Sequence, residues 1–274
     1  MSVEVDYTKI EEACERADLV LVGIGDKFQY NWDILHKQKR YMQIEAEIAE
    51  KEKNVSGQKT YKWIIPFLQK MALEKYPDES LVEAYRGLTQ LISEHNYFII
   101  SMIMDDYLYQ CDLRQDRIVT PCGGFRKMQC DHNCGDEILD IDHTVYDRVM
   151  AYYKEEIPLN ALCEPRCAKC GQPVRFNQIG VSVYAEKGYL PQWEQYTKWL
   201  QGTVNRTVCI LELGVGLELP NLIRWPFERI AYYNQKAILY RIHPFLYQTD
   251  ETLKGRSIGI CLNPADFLSN RFVK

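Results

Sequence analysis

The chain has 274 residues, a net charge of -5 and 46% hydrophobic residues, enough to bury a sizeable core as one large domain or as a domain carrying a smaller inserted one. The acidic balance supplies no basic field for a phosphate backbone, and no apolar run reaches the roughly 20 residues that span a bilayer, which sets nucleic-acid and membrane partners aside. Ten cysteines with no apolar N-terminal signal give the expectation of a cytoplasmic, reducing setting in which thiols stay free or hold metal.

Ile10, Ala13, Cys14 and Ala17 fall at helical spacing, so residues 6–16 read as a short amphipathic helix. Asp18-Leu19-Val20-Leu21-Val22-Gly23-Ile24-Gly25 is a continuous apolar run ending in Gly-x-Gly, the pattern of a buried parallel strand entering a glycine turn where a backbone can approach a phosphate or ribose. Helical patterns then run from Phe28 to about Lys53, broken by Asn54-Val55-Ser56-Gly57, from Trp63 to Lys75, and from Ser80 to His95. This excursion forms either a lid over a cleft or a plain helical cover for the sheet. Tyr97 to Ser101 is the next buried strand, followed by Asp105 and Asp106 where open α/β sheets take ligands. Arg117 to Pro121 reads as a short strand, Thr144 to Glu156 and Gln192 to Leu200 as helices. Val208 to Gly216 repeats the first device, an apolar strand feeding Gly214-Val215-Gly216. A helix through Phe227, Ile230 and Tyr233, strands at 237–243 and 257–262, and a closing helix from Pro264 complete the chain. The alternation argues an α/β fold: a Rossmann-like, doubly wound parallel sheet with an inserted helical segment and a small zinc-binding lobe.

That lobe is read from Cys130, Cys134, Cys167 and Cys170. Two close pairs, the second closing on Gly171, can set four thiolates around Zn²⁺. His132 and Cys163 are alternative ligands, and disulfides or buried thiols are the alternative chemistry. Four protein ligands leave no open position, so such an ion staples the fold and does no chemistry. The expected division is a Rossmann-like domain from 1–35, 85–127 and 200–274, a helical insertion at 36–84, and a zinc lobe with its return segment at 128–199.

In this order the motifs resemble those of the sirtuins, NAD⁺-consuming enzymes: Gly-x-Gly after the first strand, Asp105 after the second, Gly123-Gly124 before a four-cysteine lobe, then Gly-x-Gly again. The chain is most similar to the microbial class M group, macrodomain-linked sirtuins that ADP-ribosylate a lipoyl-carrier protein. Glu212-Leu213-Gly214-Val215-Gly216, Pro220, Ile223, Pro226-Phe227, Asn234 and the C-x-x-x-C form of the first cysteine pair carry that similarity. The resemblance implies NAD⁺ or ADP-ribose in an inter-lobe cleft, contacted by Gly23, Ile24, Gly25, Asp26, Ser101, Asp105, Gly214, Val215, Gly216 and His243, a structural Zn²⁺, and a lipoyl-carrier acceptor.

The departures fall on the reaction centre. The usual small residue and serine after the first glycines are Asp26 and Lys27, the ribose-binding asparagine falls on Ile103, and the catalytic histidine, a glutamine in class M, falls on Cys122. The class M arginine and acidic pair are not evident near 179–182. Asp105 remains as the group for the nicotinamide amide, and Cys122 is either a nucleophilic thiolate or a small buried residue. His243 either contacts adenosine or is a half-exposed loop residue. Two functions follow: a module that binds NAD⁺ or ADP-ribose without efficient turnover, or an active ADP-ribosyltransferase or NAD⁺ hydrolase in which Cys122, Asp26 or Asp106 has taken over. A scaffold without nucleotide is the third.

Overall fold

The structure is a computed structural model that describes residues 7–53 and 60–269. In chain order its elements are α1 (Tyr7–Arg16), β1 (Leu19–Ile24), α2 (Asp33–His36), α3 (Lys39–Lys53), α4 (Ile65–Lys75), α5 (Glu79–Ile92), β2 (Tyr97–Ser101), β3 (Ile118–Val119), β4 (Gly123–Cys130), β5 (Ile138–Leu139), α6 (His143–Tyr153), β6 (Val174–Gln178), α7 (Leu190–Gln201), β7 (Val208–Leu213), α8 (Arg224–Tyr233), β8 (Ala237–Ile242), β9 (Ser257–Ile260) and α9 (Pro264–Ser269). Six strands form one parallel sheet in the order β3-β2-β1-β7-β8-β9. β4, β5 and β6 form a small antiparallel sheet.

The continuous apolar runs have their reason in this sheet. Successive side chains on a strand point to opposite faces, and here both faces are covered. Val20, Val22 and Ile24 enter one core with α3, α4 and α5, whereas Leu19 and Leu21 enter a second with Trp199 of α7 and Phe227 of α8. The doubly wound sheet expected from the alternation is therefore present. α5 shows how one such helix is specified: the Asp78 carboxylate caps it by accepting from the Leu81 N–H (3.2 Å), and Leu81, Ala84, Tyr85, Leu88, Leu91 and Ile92 bury one stripe.

Two expectations need correction. Residues 28–53 are not one helix: the Asn31 side chain accepts from the Asp33 N–H (3.1 Å), an Asx turn that separates the first strand's exit from α2 and α3. The break assigned to Asn54-Val55-Ser56-Gly57, and Asp6 of the first helix, lie outside the described residues. The stretch after Cys122 is not a direct run into the cysteine lobe but the eight-residue strand β4, with β6 beside it. The helical excursion packs on this small sheet and on α6, with the Phe67 ring 4.9 Å from that of Phe176 in β6 and the Tyr152 hydroxyl of α6 donating to Glu47 (2.6 Å).

Candidate functional site

The strand order reverses between β1 and β7, so the crevice outside their carboxyl ends is where an open parallel sheet takes a ligand. Both Gly-x-Gly turns leave from this point and touch. The Gly25 N–H donates to the Leu213 carbonyl (2.9 Å) and the Lys27 N–H to the Gly214 carbonyl (3.1 Å). A Cβ on Gly25 would fall 2.4 Å from the Val215 Cα, so only glycine lets the two backbones pass. Gly216 faces the Asp26 carboxylate, and Ile24 and Val215 point into the two cores, leaving their backbones at the turn. Gly23 serves packing instead. A Cβ there would lie 2.3 Å from Ile223 and 2.8 Å from the Phe227 ring, so its absence lets the start of α8 settle on β1.

A buried ion cluster lies under these turns. Arg241 donates to both oxygens of Glu212 (2.6 and 3.1 Å), to Glu228 (2.9 Å) and to the Gln248 carbonyl (2.7 Å), with Arg241 and Glu212 at 1% and 0% exposure. Arg224 spans from the Val215 carbonyl (3.1 Å) to the Leu246 carbonyl (3.0 Å), tying the second glycine turn to the segment after β8. In that segment His243 is buried, not a half-exposed loop residue. Its Nδ1 accepts from the Phe245 and Leu246 N–H groups (3.0 and 2.8 Å), which places the ring proton on Nε2. Nε2 is itself buried and has no partner among the described residues, and burial lowers the ring's pKa, keeping it neutral.

Beyond β2, the Ser101 hydroxyl oxygen accepts from the Ile103 N–H (3.2 Å), and Ile103 joins the core. Asp105 is buried and already engaged: Oδ2 accepts from the Tyr30 N–H (2.8 Å) and Oδ1 from the Tyr107 N–H (3.1 Å). Burial outweighs those bonds and raises its carboxyl to about 6. Its neighbour Asp106 sits in the left-handed region at φ 60°, where a non-glycine residue is strained. Gly124 makes its room, since a Cβ there would lie 2.3 Å from Asp106 Oδ1, and Oδ2 accepts from the Phe125 N–H. Burial raises the Asp106 carboxyl to about 7. Asp106, Tyr109 and Arg126 line two cavities at once, of about 120 Å³ toward Thr120, Asn177 and Tyr189 and about 440 Å³ toward Lys70, Glu74 and Asp105. Cys122 stands behind this wall at 1% exposure, its thiol pushed up to about 11 by burial. A thiol in that state is not a thiolate at neutral pH.

The four cysteine sulfurs lie within 4.8 Å of one another, with Cys130 to Cys170 at 3.5 Å and Cys134 to Cys167 at 3.6 Å. A tetrahedral ion with 2.3 Å metal–sulfur bonds needs sulfurs about 3.8 Å apart, so the set fits Zn²⁺. His132 and Cys163 are exposed and stand outside the group. Crowding of thiols, first by the bond to Cys170, pushes Cys134 up to about 12, whereas the Cys170 and Lys169 backbone N–H groups hold Cys167 down at about 7. Four thiolates at this spacing need a cation among them.

No protein-family model matches the chain. A Staphylococcus aureus protein ADP-ribosyltransferase is 22% identical over 267 residues, covering 92% of this chain and 82% of the relative. A Sir2 homologue in complex with ADP-ribose aligns over 96% of this chain and 93% of its own at TM-score 0.52 and 12% identity. A Sir2 complex with a peptide and NAD⁺ covers 96% of both chains at TM-score 0.51 and 10% identity. The chain has the sirtuin fold. On that sirtuin frame the structure brings Gly25, Asp26 and the Gly214 turn into contact, with His243 at the end of the neighbouring strand, and places Ser101 and Asp105 at the end of β2 and in the loop after it. Cys122 lies behind the glycine pair, and Gly23 is committed to packing. Sequence reasoning missed Arg126, Tyr109 and the buried pair Gln129 and Asn177, joined at 2.6 Å. The partners of that pair are 48 residues apart, and no local pattern marks them.

Proposed function

We propose that the crevice at the carboxyl ends of β1 and β7 binds NAD⁺ or ADP-ribose. The carrying observation is the meeting of both glycine turns at the sheet's point of reversal. The His243 Nε2–H supports it, because a buried donor without a partner costs about 1–3 kcal/mol and a ribose or phosphate oxygen would satisfy it. Gly25, Gly214 and Gly216 would present backbone to the nucleotide, and Zn²⁺ in the cysteine cluster would hold the small sheet in place. Calorimetric titration with ADP-ribose and NAD⁺ tests the reading. Saturable binding weakened at least tenfold by Gly216→Val is the expected result, and no heat with either ligand refutes it.

A second reading, turnover as an ADP-ribosyltransferase or NAD⁺ hydrolase, is favoured by the S. aureus relative of that name and by the strained, cavity-facing Asp106. NAD⁺ is then a substrate, and the acceptor includes the lipoyl-carrier protein implied by the resemblance. Nicotinamide release from NAD⁺ distinguishes turnover from binding alone. Loss of that release in Cys122→Ala would return the buried thiol to the reaction centre.

A further inference from the structure

We infer that Asp106 is the catalytic base of this chain, the group that takes the proton from the nucleophile that captures ADP-ribose. The inference rests on the enzymatic reading above and assigns within it a residue whose position no other carboxylate among the described residues shares. Asp105 has both oxygens tied to backbone N–H groups and holds the Tyr30 loop in place. Asp106 spends one oxygen on the Phe125 N–H, which leaves Oδ1 as the one available to a ligand. The fold keeps a left-handed backbone at a non-glycine residue there and places Gly124 against it, where a Cβ would meet the carboxylate. What sets Asp106 apart is that its carboxylate, with one oxygen unbonded, lines both cavities.

The surroundings suit a base. Asp105, Lys70 and Glu74 face Asp106 from one cavity, Lys127 from the other, and Arg126 and Tyr109 border both. Lys70 is paired with Glu74 (2.7 Å), Lys127 with Asp140 (2.7 Å), and the Arg126 guanidinium lies 3.9 Å over the Tyr109 ring, so none of the three cations is bonded to Asp106. Burial therefore outweighs their pull, and the carboxyl titrates near neutrality, at about 7. In the step assigned to it, the oxygen of a water or a hydroxyl acceptor bonds to the ribose C1′ while its proton passes to Asp106. The C1′–N bond breaks with its electron pair going to nicotinamide, whose ring charge is thereby cancelled. The proton then leaves Asp106 for solvent.

The test measures nicotinamide release from NAD⁺ between pH 5.5 and 9, with ADP-ribose affinity measured in parallel. Wild type should gain rate as pH rises through about 7. Asp106→Asn, which keeps the acceptor for Phe125 N–H and tolerates the left-handed backbone, should lose about 100-fold or more in rate and lose the pH-dependent rise. Its ADP-ribose Kd should stay within about threefold of wild type, since the interaction acts on the reaction and not on binding. Asp106→Gly, which relieves the backbone strain, should behave alike and regain rate with added formate. A folded Asp106→Asn or Asp106→Gly that keeps the wild-type rate and pH profile overturns the assignment and leaves the nucleotide reading standing. A wild type that binds ADP-ribose and releases no nicotinamide overturns it too. A wild type that binds no nucleotide removes the reading beneath it.

Discussion

Replacing Arg241 by Met tests whether the ion cluster under the glycine turns holds the site together. Arg241 and Glu212 are 1% and 0% exposed, and the pair is joined by two bonds at 2.6 and 3.1 Å. Methionine fills most of the volume but leaves the Glu212 carboxylate without its bonded cation and the Gln248 carbonyl without its donor (2.7 Å). Removing one partner of a buried pair costs about 3–5 kcal/mol, here a fall in melting temperature of roughly 10 °C. Glu228, whose side chain is 27% exposed, can turn to water and adds little. The cost should depend on pH in one direction. An unpaired buried carboxylate has a folded pKa far above its unfolded value, so the folded state keeps its proton as pH falls. The deficit of Arg241→Met should therefore be largest near pH 8 and shrink toward pH 4. The double variant Glu212→Gln, Arg241→Met should recover about 2 kcal/mol of the summed single costs. Urea unfolding of the four proteins at both pH values gives the full cycle. An Arg241→Met cost below about 1 kcal/mol, or one that does not change with pH, would refute the view that this pair is a desolvated support for the turns.

The Asp105 and Asp106 carboxyls, raised to about 6 and about 7 from 3.8, bind protons more tightly folded than unfolded. Their contribution is fully present below pH 3.8 and is lost as pH rises through their folded values, so the urea midpoint should fall between pH 5 and 8, and Asp106→Asn should flatten much of that fall. Gly25→Ala drives a Cβ to 2.4 Å from the Val215 Cα and 2.5 Å from the Gly214 carbonyl oxygen; the turns must part, and the expected loss is about 1–3 kcal/mol with weaker ADP-ribose binding in the same titration. Chelation should remove one zinc per chain, read by metal analysis, and lower the melting temperature, and Cys167→Ser should reproduce both effects.

The sheet was legible in the sequence because parallel strands covered on both faces are nearly continuous apolar runs, as Leu19–Ile24 is and as Val208–Leu213 is apart from Glu212. The cysteine quartet was legible because its ligand pairs are local. The small sheet was not. β4 carries Arg126 and Lys127 at its middle and buries Gln129, and β6 buries Asn177, so neither strand reads as a clean alternation. Their polar side chains are tolerated inside because they satisfy each other and the Val183 and Ala185 backbone (2.6 to 3.0 Å), contacts that exist only after the chain returns from the metal lobe. Gly23 carries a second demand that its motif did not show: the space left by its missing Cβ is filled by Ile223 and Phe227.

β4 gives the cysteine lobe its bearing on the loop after β2. Gly123 and Gly124 stand at its first residues and Cys130 at its last, a span of roughly 20 Å at strand rise. An ion held there by four thiolates would have neither an open position nor the reach to touch a reacting atom. What it would fix is the direction of the strand, and with it Gly124, which lies against the Asp106 carboxylate. The same strand meets the helical excursion through Phe125, whose ring lies 6.3 Å from Trp32 and 5.2 Å from Phe176. Tyr30, two residues before Trp32, is held by Asp105 (2.8 Å) and by the Tyr76 carbonyl (2.8 Å). The excursion, the loop after β2 and the strand leading to the cysteines therefore converge on the two neighbouring carboxylates. Asp105 gives both oxygens to that convergence, whereas Asp106 gives one, to the Phe125 N–H.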